Sequence, residues 1–109
     1  MVLNKATLDA IEPAFREKLI QLFIEETLKG LLLIKKGFDE NDFDAVKFQI
    51  HKHKASCQII GADKLHTLFL DFEANATSSD LNSVGLTHDD LFNAFVEFRE
   101  AYHKVYDAD

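Results

Sequence analysis

The sequence predicts an all-α protein: an up-down-up-down four-helix bundle with a short extra N-terminal helix. Three observations carry that expectation. The 109 residues include only four Gly and one Pro, so turn signals are few and the elements between them must be long. Apolar residues recur at spacings of three and four through most of the chain, the period of a helix with one buried face. No segment alternates apolar and polar residues as a half-buried strand does. At this length, with 47% hydrophobic residues, residues 1–109 read as a single packed domain.

A short helix opens near Thr7, and the chain breaks at Glu12-Pro13. Pro13 suits the first turn of a second helix, where its missing N–H is no loss. From Phe15, the positions Leu19, Leu22, Phe23, Leu28, Leu31 and Ile34 keep an inward stripe until Gly37 supplies a stop. Gly30 within the stripe costs about 1 kcal/mol relative to Ala, which marks it as a place of close approach. Asn41 or Asp42 caps the third helix. In it Phe43, Val46, Ile50, His53, Cys57 and Ile60 form a seam facing neighbouring helices. Gly61 ends that helix, and Ala62 to about Ser78 forms the next, with Leu65, Leu68, Phe69 and Phe72 inward. After the polar stretch TSSDLNSVGL, Thr87 caps the last helix, Asp90 completes a capping-box-like pair and Leu86 staples to Leu91. Leu91, Phe92, Phe95, Phe98 and Tyr102 carry its core face.

Composition narrows the function. A net charge of -7 argues against nucleic acid, whose phosphates need a basic stripe. No secretory h-region opens the chain, and no window approaches about 18 uninterrupted apolar residues, so no membrane contact is expected. The single Cys57 cannot form an internal disulfide and fits a reducing compartment. A cytoplasmic monomer is the expectation.

The stretch HKHKASCQIIGADKL, from His51 to Leu65, concentrates titratable chemistry in one helical turn. Residues two apart on a helix point about 200° from each other, so His51 and His53 have different surroundings. His53 falls on the apolar seam and reads as a core histidine satisfied by one hydrogen bond. His51 falls on the polar stripe Lys47, His51, Lys54, Gln58 and should face solvent. A neutral, solvent-facing imidazole, with an ordinary pKa of about 6.5, is a nucleophile at physiological pH. An ammonium three residues on can hydrogen-bond an anion built on that ring. His88 and His103 read as surface positions.

Reading His51-Lys52-His53-Lys54-Ala55-Ser56-Cys57-Gln58-Ile59-Ile60-Gly61-Ala62 and then Leu65, the stretch resembles the signature of histidine-containing phosphotransfer (HPt) domains. That family carries His-x-x-Lys-Gly-Ser, then Gly-Ala and Leu, on the second long helix of a four-helix bundle. The similarity spans about residues 15 to 76 and includes Glu73, which matches an acidic position on the following helix. It implies that His51 accepts a phosphoryl group, that Lys54 stabilises it, and that Ser56, Gly61 and Ala62 are structural members of the motif. Ala55 stands where the family usually has Gly, and His53 where it usually has an apolar residue. The implied partner is the receiver domain of a response regulator or hybrid sensor histidine kinase. That domain would bring the carboxylates and Mg²⁺ for phosphoryl transfer, and this chain would need no cofactor of its own. Docking would use the rim beside His51, with Phe48, Lys52, Gln58 and Ile59 as candidates. Transfer should fall below about pH 6, where an ordinary imidazole protonates.

Two other functions are weighed against the relay. A pure interaction module would use the bundle surface with His51 unmodified. A metal-binding bundle would use Asp63-x-x-His66, Glu100-x-x-His103 and Glu25 or Glu26. Nucleophilic catalysis by Cys57 is disfavoured by its place on the buried seam.

Overall fold

The computed structural model describes residues 1–76 and 79–107. Their elements are α1 (Lys5–Asp9), α2 (Pro13–Asp39), α3 (Phe43–Ile60), α4 (Asp63–Asn75), a 3₁₀ turn (Leu81–Ser83) and α5 (His88–Tyr106). No strand occurs among the described residues, so the chain is all-helical there, with α2 to α5 as its long elements. α2 packs on α3, α3 on α4, α4 on α5, and α5 returns to α2, while α1 leans on α3. Among the described residues no helix is long and apolar enough to cross a membrane.

The helix ends follow local chemistry. Pro13 occupies the first turn of α2, and the Glu12 carboxylate accepts from the Ala14 and Phe15 amides. The Asp42 carboxylate accepts from Ala45 N at 3.1 Å and caps α3. Gly61 closes α3 at φ 77, the left-handed conformation that a residue without Cβ adopts most easily. Thr87 and Asp90 complete the capping box of α5.

One core lies between the long helices. Val46, Ile50, Cys57 and Ile60 of α3 meet Phe69 and Phe72 of α4 and the Phe95–Phe98–Tyr102 side of α5, all buried. The expected seam of α3 and inward face of α5 are therefore found, with Phe43 and Phe92 half-buried at their margins.

Four details differ from the expectation. Gly37 does not stop α2, which runs on to Asp39; the chain turns instead at Asn41, whose φ is 51. Gly37 is buried where α2 meets α3, and a Cβ there would lie 2.6 Å from Val46 Cγ2. α4 ends at Asn75, short of Ser78, which itself lies outside the described residues. Phe15 and Leu22 are more than half exposed at 57% and 55%, because Ile20 and Phe23 take the inward positions in their place. Leu81 and Val84, in the stretch read as a polar loop, are buried and pin the 3₁₀ turn to the core.

The first residues and the last helix share one end of the molecule. Asn4 N donates to Gly61 O at 2.8 Å, tying the start of the chain to the α3–α4 corner. The Arg16 guanidinium lies 4.2 Å over the Tyr106 ring and donates to Leu8 O. Tyr106 OH donates to Asp9 at 2.8 Å, and Tyr102 OH donates to Glu17 at 2.9 Å. Burial, with the Asp9 carboxylate beside it, pushes the Tyr106 phenol up to about 12.

Candidate functional site

His51 projects from the middle of α3 with its side chain 73% exposed. Its Nδ1 faces Glu73 Oε2 at 3.4 Å, and Lys54 Nζ donates to Glu73 Oε1 at 2.7 Å. The sequence explains the convergence. His51 and Lys54 are three apart and share a face of α3. On α4, Phe69 and Phe72 turn into the core, which sets the next residue, Glu73, at the rim facing α3.

The contacts define the charge state. Partial burial works to raise the Glu73 carboxyl, but the hydrogen bonds from Lys54 and His51 outweigh it and hold the group below its ordinary value. Glu73 is therefore an anion, and an anion beside Nδ1 favours the tautomer with the proton on that nitrogen. The lone pair then sits on Nε2, which has no hydrogen-bond partner among the described residues. The arrangement is an oriented imidazole with an open nucleophilic nitrogen, beside a carboxylate that also holds an ammonium.

The other predicted positions divide by depth. Gly61 and Ala62 are buried at the α3–α4 corner, where Ala62 N donates to Cys57 O at 2.9 Å. Ala55, Ser56, Lys52 and Gln58 are exposed. Phe48 and Ile59 are 63% and 64% exposed, large apolar side chains left facing water. Phe48, Lys52, Ala55 and Ile59 follow a four-three-four spacing, so they form one stripe adjoining that of His51.

His53 is in the core, as its seam position predicts, but makes no hydrogen bond with any described residue. Its ring lies against Gly30, where a Cβ would come within 2.4 Å of Nε2. The close approach expected at Gly30 is thus to this ring. Burial, aided by Lys52 and opposed by Glu26, lowers the His53 imidazole below its ordinary 6.5. Cys57 is fully buried and its thiol is pushed up to about 12, the state of an inert structural cysteine. His88 is not a surface residue: its side chain is 14% exposed, it stacks on Phe92, and its Nε2 is buried without a partner. Sequence reasoning also passed over Thr27 and Gln49, buried with unpartnered side-chain oxygens. A Thr one turn before Gly30 in an apolar stripe was the available signal for the first.

The metal-binding pairs do not converge. Asp63 accepts from Asn4 Nδ2, and His103 contacts Asp107. Among the described residues no group of three or more His, Cys, Asp or Glu is placed to hold a metal ion. Compared with known proteins, the chain matches no family model, no curated protein and no solved structure.

Proposed function

We propose that this chain is a phosphorelay intermediate of the histidine phosphotransfer kind, built as an up-down-up-down four-helix bundle with a short N-terminal helix. One observation supports it above the rest: an exposed imidazole in mid-helix whose Nδ1 is engaged by an anionic Glu73 while Nε2 has no partner among the described residues. Nε2 attacks the phosphorus of a receiver's aspartyl phosphate, the P–O bond to the aspartate breaks, and the receiver carboxylate leaves with that electron pair. The imidazole becomes an N-phosphoryl imidazolium. Its remaining N–H, on Nδ1, points at Glu73, so the new positive charge forms beside a fixed negative one. Lys54, held by the same carboxylate at 2.7 Å, supplies a cation for the phosphoryl oxygens. The reverse sequence delivers the group to a second receiver. The divalent cation and the carboxylates that hold it belong to the receiver.

Phe48 and Ile59, exposed on either side of Lys52 and Ala55, are where a receiver's apolar patch would seat. The same stripe favours the second reading, an interaction module in which His51 stays unmodified. Incubating the protein with a panel of phosphorylated receiver domains separates the two. A relay acquires acid-labile, base-stable phosphate that is absent from His51→Gln. A pure interaction module binds receivers or other partners without acquiring phosphate, and equal labelling of parent and variant refutes His51 as the acceptor.

A further inference from the structure

The outer face of the α2–α3 pair carries a pattern that packing within the chain does not use. Leu22 and Ile59 border one groove between the two helices, and Leu33 and Phe48 border a second. All four are large apolar residues exposed to water. Leu33 follows Leu22 by eleven residues, and Ile59 follows Phe48 by the same eleven, about 16.5 Å along a helix. The two grooves therefore sit at two levels, and the antiparallel helices match level for level. The residues between them are placed symmetrically too. Glu26 stands four after Leu22 and Lys29 four before Leu33, while Lys52 stands four after Phe48 and Ala55 four before Ile59. These four are also exposed.

We propose that this face binds a second copy of the chain as an antiparallel twofold dimer, Glu26 of each copy facing the partner's Lys29. A twofold interface is self-complementary: where one residue meets another, the second meets the first. An axis lying in the interface, crossing both helices midway between the grooves, exchanges the members of each pair. It sets Leu22 on the partner's Leu33, Phe48 on the partner's Ile59 and Lys52 on the partner's Ala55. Apolar then meets apolar, and opposite charges meet at Glu26 and Lys29. An axis along the helices would instead keep each level and lay Lys29 on the partner's Lys52, so like charges select the antiparallel form. A receiver or a single bound helix has no need of a face that reads alike from both ends; a second copy does. Within one chain Glu26 and Lys29 approach only to 3.6 Å, at 50% and 71% exposure, which leaves both heads within reach of a partner. The monomer expected from the sequence is then the dilute form. Dimer and receiver exclude one another at Phe48 and Ile59, a consequence that rests on the relay reading; the dimer itself does not.

Sedimentation equilibrium of the whole chain tests this. A reversible dimer, half-formed below ~1 mM, is expected. Glu26→Lys or Lys29→Glu opposes like charges at two symmetric contacts, and each should weaken the dimer about tenfold or more. Mixed in equal amounts, the two single variants should pair with each other within about threefold of the parent's affinity, since each copy carries the charge that the other lacks. Both side chains are at least half exposed, so the variants keep the fold. The measurement needs no receiver, so failure of the dimer and failure of the relay are told apart. The proposal is overturned by a parent that stays monomeric at ~1 mM, by assemblies larger than two, by single variants that dimerise as the parent does, or by a mixture that associates no better than its components.

Discussion

Gly30→Ala tests how tightly α2 is held against the helix that carries His51. On helix propensity alone the change should stabilise, since Ala in a helix interior is favoured over Gly by about 1 kcal/mol. The contact opposes this. A methyl at position 30 would lie 2.4 Å from His53 Nε2 and 2.6 Å from its Cδ2, closer than nonbonded atoms approach. His53 is 6% exposed, so its ring must tilt or α2 must move away. An extra carbon in a packed site costs about 1 to 3 kcal/mol, which leaves a net loss of up to about 2 kcal/mol after the propensity gain. Urea unfolding of four proteins, the parent, Gly30→Ala, His53→Ala and the double variant, isolates the contact. With the imidazole removed, the same glycine change should become stabilising by up to about 1 kcal/mol. If Gly30→Ala stabilises the parent, or shifts both backgrounds equally, the ring does not fill the space that the glycine leaves.

Three further outcomes are expected. The folded-state value of His53 is lowered, so the unfolded chain binds a proton first as pH falls. Stability is full above about 6.5 and declines below it, by at most about 1.4 kcal/mol per pH unit, until the folded ring also protonates; His53→Leu should remove that slope from urea midpoints measured between pH 7.5 and 5.5. Cys57, buried with its thiol pushed up to about 12, should react with iodoacetamide at pH 8 on the order of a thousandfold more slowly in the folded protein than in urea. Comparable rates would mean that α3 opens readily at that level. Glu73→Gln replaces the anion facing His51 with an amide; losing a charge-assisted bond of at least about 1.5 kcal/mol should slow phosphoryl acceptance about tenfold or more, while an unchanged rate would remove Glu73 from the mechanism.

What could be read in the sequence was mostly what neighbours along the chain decide. Pro13, the Thr87–Asp90 box and the left-handed Gly61 act within a few residues, and each does in the structure what its local pattern indicates. The polar stripe through His51 and Lys54 likewise places both side chains, since helical spacing fixes their common face. The errors arose where a distant segment decides. Gly37 carries the mark of a stop, yet its missing side chain serves Val46 across the α2–α3 contact. Phe15 and Leu22 fit an apolar stripe wider than the surface that the other helices cover. His88 looks like an ordinary surface residue until Phe92 packs beneath it. The missing hydrogen bond of His53 belongs to the same class, since only the packing of α2 on α3 shows what faces the ring.

The pairing of Tyr102 with Tyr106 also has a spectroscopic consequence. The chain has two tyrosines and no tryptophan, and these two rings are stacked 4.8 Å apart on one helix. All of its tyrosine emission therefore arises at the end where Arg16, Glu17 and Asp9 gather. Thermal melts followed by that signal watch α1 and the close of α5 come undone, and chemistry at the imidazole in mid-α3 leaves it dark.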